Sequence, residues 1–191
     1  MNKLVLIDGS NVWASAKSCG YSIDYEKLIN FFGVENKFIF YTALPDRAER
    51  NQLQPLVDYL KYNHFQCVTK EMKVYHNEDG NTKRKGNMDM EIARDMMVMA
   101  RHYKHISLFS GDGDFCCIID HIQRYHGCTV DVYSSKAMFS NDIRAQADNF
   151  YLLDDPNIRM KLAAGVVDTV DQSIGPVSTK RRLVFKENKG I

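Results

Sequence analysis

The chain predicts an α/β fold with a mostly parallel sheet and helices on both of its faces. Three observations carry that reading. Short apolar, strand-like runs alternate with helix-like stretches from end to end, as βαβ units do. Parallel strands joined by right-handed crossovers place their helices on either side of the sheet. The 191 residues are 45% hydrophobic and 26% charged, the size and composition of one ordinary domain with a real core.

Taken in order, Lys3–Ile7 reads as the first strand and runs into Asp8-Gly9-Ser10-Asn11. Asp24–Gly33 reads as a helix, with Asp24 as its cap, Leu28, Phe31 and Phe32 as its apolar positions and Gly33 at its end. Lys37–Ala43 is a second strand closed by Pro45. Arg47–Asn63 is helical, with Leu53, Leu56, Val57 and Leu60 on one face; Pro55 predicts a break or a second start within it. Phe65–Thr69 is a third strand.

Met88–Tyr103 carries the clearest helical period, through Ile92, Met96, Met99 and Tyr103, and Asn87 is placed to cap it. Ile106–Phe109 is the next strand. A helix follows, with Phe115, Ile118, Ile119 and Ile122 on one face and Gly127 as its stop. Thr129–Tyr133 is a strand, Asn141–Ala147 a short helix, and Phe150–Leu153 a last extended piece. These elements set a domain at 1–155. Residues 156–191 read as a C-terminal extension, weakly structured or docking a protein partner or a second copy of the chain. Its Lys180-Arg181-Arg182 reads as a solvated run.

Composition narrows the function. A net charge of +1 gives no overall attraction to polyanions, so any such contact must come from local patches. No apolar run approaches membrane-spanning length, and mean hydropathy is −0.37. The first residues, Met1-Asn2-Lys3 and a four-residue apolar run, are too short for a secretory leader, which sets a cytoplasmic location as the expectation. The five cysteines (Cys19, Cys67, Cys116, Cys117, Cys128) form no C-x-x-C pair, and the histidines are scattered. Neither supplies a zinc site.

The chemistry lies in three acidic turns. Asp8 ends the first strand, with Asn11 three residues on. Lys85-Gly86-Asn87-Met88-Asp89 opens the long helix. Ser110-Gly111-Asp112-Gly113-Asp114-Phe115 follows the strand Ile106–Phe109. Each has an ordinary explanation as a turn or a helix cap. Their coincidence on one rim of a parallel sheet does not, because crowded carboxylates repel unless a cation sits among them. Oxygen donors alone point to Mg²⁺ or Mn²⁺. Asp114 is expected to cap the helix that follows, leaving Asp112 free. Asp95, flanked by Ile92, Val98 and Met99, is expected to be half-buried and either to reach a partner such as Lys104 or to support the site from behind.

These motifs, in this order over about Met1–Leu153, resemble the NYN domain of the PIN-like nuclease superfamily, and more narrowly its LabA-like group. The resemblance implies a PIN-like, Rossmannoid three-layer α/β/α sandwich. It implies a metal-dependent endoribonuclease that leaves a 5′-phosphate and a 3′-hydroxyl. Asp8, Asp89, Asp112 and Asp114 match the family's acidic, metal-binding and catalytic positions. Asn11 matches the polar residue beside the first acid, and Ser110 the small hydroxyl before the paired acids; both are expected at the substrate.

Residues 72–85 read as a basic hairpin inserted beside this rim, turning at Asp79-Gly80. Lys70, Lys73, Lys83, Arg84 and Lys85 would gather there. Lys83, Arg84 and Lys85 with Tyr75 would hold a phosphate backbone and stack a base of single-stranded or loop RNA. Lys85 is the expected contact to the scissile phosphate. The rival reading is a noncatalytic RNA-binding module acting through protein partners. A haloacid-dehalogenase-type phosphohydrolase requires an Asp where Ser10 stands, and a dinucleotide-binding enzyme requires a glycine fingerprint after the first strand that is absent.

Overall fold

The computed structural model describes residues 2–44, 47–76 and 82–164, and the backbone alone at 47–52, 74–76 and 82–85. The first strand, β1 (Leu4–Asp8), is followed by α1 (Gly9–Ser18) and α2 (Tyr25–Phe32). Strand β2 (Lys37–Leu44), helix α3 (Arg47–Tyr62) and strand β3 (Gln66–Glu71) come next. A separate antiparallel hairpin, β4 (Lys73–His76) and β5 (Thr82–Lys85), leads into α4 (Asp89–Met99) and β6 (His105–Phe109). A 3₁₀ turn at Gly113–Phe115 opens α5 (Cys116–His126). The chain then forms β7 (Thr129–Ser134), α6 (Asn141–Gln146), β8 (Asn149–Leu152) and α7 (Pro156–Leu162).

Six strands pair in parallel in the order β3-β2-β1-β6-β7-β8. The alternation of side chains along a strand divides the core into two layers. Leu4 and Leu6 of β1 face Ile92 and Met96 of α4, Ile118, Ile119 and Ile122 of α5, and Ile143 of α6. Val5 and Ile7 face Val12 and Ala16 of α1, Leu28 of α2, Leu60 of α3 and Leu162 of α7. The expected three-layer α/β/α sandwich is therefore present. All four apolar residues of β1 are fully buried, as a central parallel strand requires.

The order of strands places the site. From β1 the chain winds outward through β2 and β3, then returns to lay β6 against the other edge of β1. Helices leave in opposite directions at that point, and a crevice opens at the carboxyl ends of β1 and β6. Asp8 and the Ser110–Asp114 turn stand on either side of it.

Four local expectations are corrected. Helix α3 runs unbroken through Pro55, which is exposed on the solvent face, where the carbonyl it leaves unpaired can be hydrated. Helix α4 ends at Met99 rather than Tyr103, because the next residues turn into β6. Asn87 does cap α4, accepting the Asp89 N–H at 2.6 Å, but from one position before the cap residue Met88. The segment after residue 155 opens with a helix: Asp155 caps α7, Pro156 starts it, and Leu162 is fully buried against α2, while 165–191, with Lys180-Arg181-Arg182, lie outside the described residues. The hairpin is formed in the register Lys73↔Lys85 and Tyr75↔Lys83, while its turn at Asp79-Gly80 lies outside the described residues.

Candidate active site

Asp8 is the last residue of β1 and is 5% exposed. Its Oδ1 accepts the N–H groups of Ser10 (3.1 Å) and Asn11 (3.2 Å) and the Ser10 hydroxyl (2.7 Å), so the carboxylate caps α1. Its Oδ2 receives the Ser110 hydroxyl at 3.3 Å, across 102 residues of sequence. A buried carboxylate is costly without such donors. The acid is fixed by the strand end, the helix start and the neighbouring strand together.

The turn after β6 carries the next two acids. Asp112 caps the 3₁₀ turn through Oδ1, which accepts the Asp114 N–H at 3.0 Å. The expected roles are thus exchanged: Asp112 is the cap, and Asp114 is the exposed carboxylate at the rim. A 3₁₀ turn before the helix moves the cap two residues upstream. Gly111 has no room for a side chain. A Cβ there would lie 2.2 Å from the Met138 carbonyl and 2.4 Å from Ser134 Oγ.

Asp89 opens α4 and completes the group. One carboxylate oxygen from each of Asp89, Asp112 and Asp114 lies within 4.8 Å of the other two. Burial pushes the Asp89 carboxyl above its ordinary range; the charges of Asp112, Asp8 and Asp114 add to the rise, and the Asn87 side-chain amide opposes it. Asp8 stands close enough to be felt by Asp89 but outside that tight trio. An open cleft of about 370 Å³ is lined by Asp8, Ser10, Asn11, Asn87, Asp89 and Asp112, with Gly86 and Met138. Three convergent carboxylates, with no basic side chain among them in the described residues, form the oxygen donor set that a hard divalent ion takes.

A family model described as the NYN domain matches residues 3–154. The chain belongs to the NYN family. This NYN domain is 28% identical over 158 residues to the low amplitude and bright protein LabA of Synechococcus elongatus, a match covering 79% of this chain and 83% of LabA. The domain is thus LabA-like, and its PIN-like superfamily suggests a nuclease. A crystal structure of a protein of unknown function from Vibrio parahaemolyticus superposes with a TM-score of 0.64 at 22% identity, covering 85% of this chain and 96% of that one. That likeness shows the fold.

The other residues singled out in the sequence divide into braces and arm. In this NYN domain Asn11 Oδ1 accepts the Gly111 N–H at 3.1 Å, so Asn11 ties the β1 end to the β6 end while lining the cleft. Ser110 is fully buried; its hydroxyl donates to Asp8 and lies 3.4 Å from the Asp112 N–H. It therefore braces both acids from behind. Asp95 does not reach Lys104, whose ammonium donates to the His126 carbonyl. Asp95 instead accepts the Tyr41 hydroxyl at 2.9 Å and pairs with Arg94 at 2.7 Å. Tyr41 is the β2 partner of Asp8 in the sheet register, so this bond clamps the helix of Asp89 to the strand beside Asp8.

The side chains of Tyr75, Lys83, Arg84 and Lys85 lie outside the described residues. The end of their hairpin is nonetheless placed, because Gly86 lines the cleft and packs against Ala43 and Met72. Lys70 pairs with Glu91 at 2.9 Å, so its charge is partly spent within the protein. The sequence reading missed Ser10, Asn87 as an Asp89 partner, Tyr41 and Met138. The first two carry a local signal, a hydroxyl or amide two residues from an Asp. Tyr41 and Met138 arrive by tertiary packing and carry none.

Proposed function

We propose that this NYN domain is a Mg²⁺- or Mn²⁺-dependent endoribonuclease acting on single-stranded or loop RNA in the cytoplasm. One observation carries the reading: three carboxylates converge within 4.8 Å at the switch point of a parallel sheet, with Asp8 behind them. Structural carboxylates are ordinarily paired with cations, and these face one another.

Asp89, Asp112 and Asp114 would hold the ion, with Asp8 within its field. Bound there, a divalent ion neutralises phosphodiester charge and makes a coordinated water a better nucleophile. The chain's residues supply the rest. Asp8, fixed by Ser10, Asn11 and Ser110, contributes a negative charge that does not move. Asp114 is exposed at the rim and is placed to orient the attacking water and take its proton on a carboxylate oxygen. Asn11 and Asn87 line the cleft and offer amide donors to substrate oxygens. Tyr75, Lys83, Arg84 and Lys85 of the hairpin supply the strand contact, with Lys85, next to Gly86, nearest the scissile phosphate. Water adds to phosphorus, the P–O3′ bond breaks, and the products carry a 5′-phosphate and a 3′-hydroxyl.

The test is cleavage of a labelled single-stranded RNA in Mn²⁺, Mg²⁺ or EDTA by wild type, Asp8→Asn and Asp112→Asn. Cleavage that needs metal and falls by about 100-fold or more in both variants is expected. Equal activity in all three proteins would overturn the assignment. Binding of RNA without cleavage in any metal would instead support the noncatalytic module.

A further inference from the structure

Helix α1 meets the cleft through Ser10 and Asn11 of its first turn, and a further face of the helix has no part in the acidic group. Val12, Ser15 and Ala16 are buried beneath the helix, and Ser10 lines the cleft at its start. One turn on from Ser10 stands Trp13, 51% exposed, and one turn further Lys17, whose Nζ lies 5.0 Å from the centre of the indole ring. Residues three and four apart on a helix are neighbours, so Ser10, Trp13 and Lys17 form one stripe. Helical side chains tilt toward the N-terminus, which directs Trp13 back toward the cleft. A half-exposed indole is costly to leave against water.

We propose that Trp13 and Lys17 form a nucleobase-stacking subsite that holds a single strand of nucleic acid where it leaves the acidic cleft. The proposal rests on the nuclease reading for its substrate class. The observations favour a nucleotide over an apolar partner for two reasons. The aromatic surface is a single ring rather than a patch, and it carries its own cation. A base can stack on the exposed indole while the Lys17 ammonium meets the adjoining phosphate, the pairing that single-strand-binding grooves use. The stripe also begins at Ser10, which lines the cleft, on the helix whose first turn is capped by Asp8, so strand and acids would share one rigid mount.

Trp13 is the only tryptophan of the chain, so its emission reports on this position alone. The experiment uses the full chain carrying Asp112→Asn, in Mg²⁺, titrated with a fluorescein-labelled single-stranded RNA of mixed sequence. Tryptophan emission is read beside anisotropy. Quenching that tracks the anisotropy is expected. Trp13→Ala should weaken binding by roughly 5- to 100-fold, Trp13→Phe should recover part of the loss, and Lys17→Ala should flatten the salt dependence. Circular dichroism confirms folding of each variant. Binding without quenching, or with the same affinity in Trp13→Ala, overturns the subsite and leaves the nuclease reading standing. Absence of binding overturns the subsite as well, and wild-type cleavage in Mn²⁺ then judges the nuclease reading separately.

Discussion

Asp89 shows what it costs to bring these acids together. Its ordinary pKa is 3.8, and burial together with the neighbouring carboxylates raises it in the folded protein. The folded state therefore holds that proton more tightly than the unfolded chain does. In metal-free protein the stabilisation is fully present below the ordinary value and is lost as pH rises through the elevated folded one. Metal-free Asp89→Asn, which removes the repulsion, should melt higher than wild type at pH 7, by on the order of 1–3 °C by calorimetry. Mn²⁺ should reverse the ranking, since only wild type offers the full donor set. Calorimetric titration should also show Mn²⁺ affinity increasing with pH across the same window, because the ion must displace the Asp89 proton. Equal melting temperatures without metal would mean the carboxylates do not feel one another.

At the scale of elements, the site depends on how α4 is held to the sheet. Ile92 and Met96 pack beneath it, and the Tyr41 hydroxyl bonds Asp95 at its middle. Burial and the Asp95 charge push the Tyr41 phenol well above its usual range, so it remains a donor. Tyr41→Phe should cost about 1.5–3 kcal/mol in urea unfolding, the range for a hydrogen bond to a charged acceptor. It should also weaken Mn²⁺ binding, although the Tyr41 hydroxyl reaches Asp95 rather than Asp89, Asp112 or Asp114. A stability loss with unchanged Mn²⁺ affinity would show that α4 keeps its place by packing alone. The same element explains a misreading. Periodicity makes Asp95 half-buried, as it is, yet no local rule names a tyrosine 54 positions earlier as its partner.

For the whole molecule, α7, the last helix of the described residues, belongs to the fold. Leu162 is fully buried beside Val12 and Leu28 in the layer that carries α1, and Ile23 bridges to Ala163. Leu162→Ala should therefore cost about 2–5 kcal/mol, measured by denaturant unfolding. A chain cut before Pro156 should lose at least as much. If the cut chain were as stable as the full one, α7 would be an appendage.

The sequence by itself determined the elements and the acids. Short continuous apolar runs, helices of period three to four, and Asp at the end of a strand or the head of a helix are local signals written over a few residues. On them the α/β sandwich, the acidic positions Asp8, Asp89, Asp112 and Asp114, and the basic hairpin were legible. Only the tertiary structure decided which strand lies beside which, because strand order follows from packing rather than from any one segment. That order sets β6 against β1, lets Ser110 reach Asp8 and lets Asn11 hold Gly111. It also leaves Trp13 facing solvent while its neighbour Val12 is buried, a difference set by which face of α1 meets the sheet.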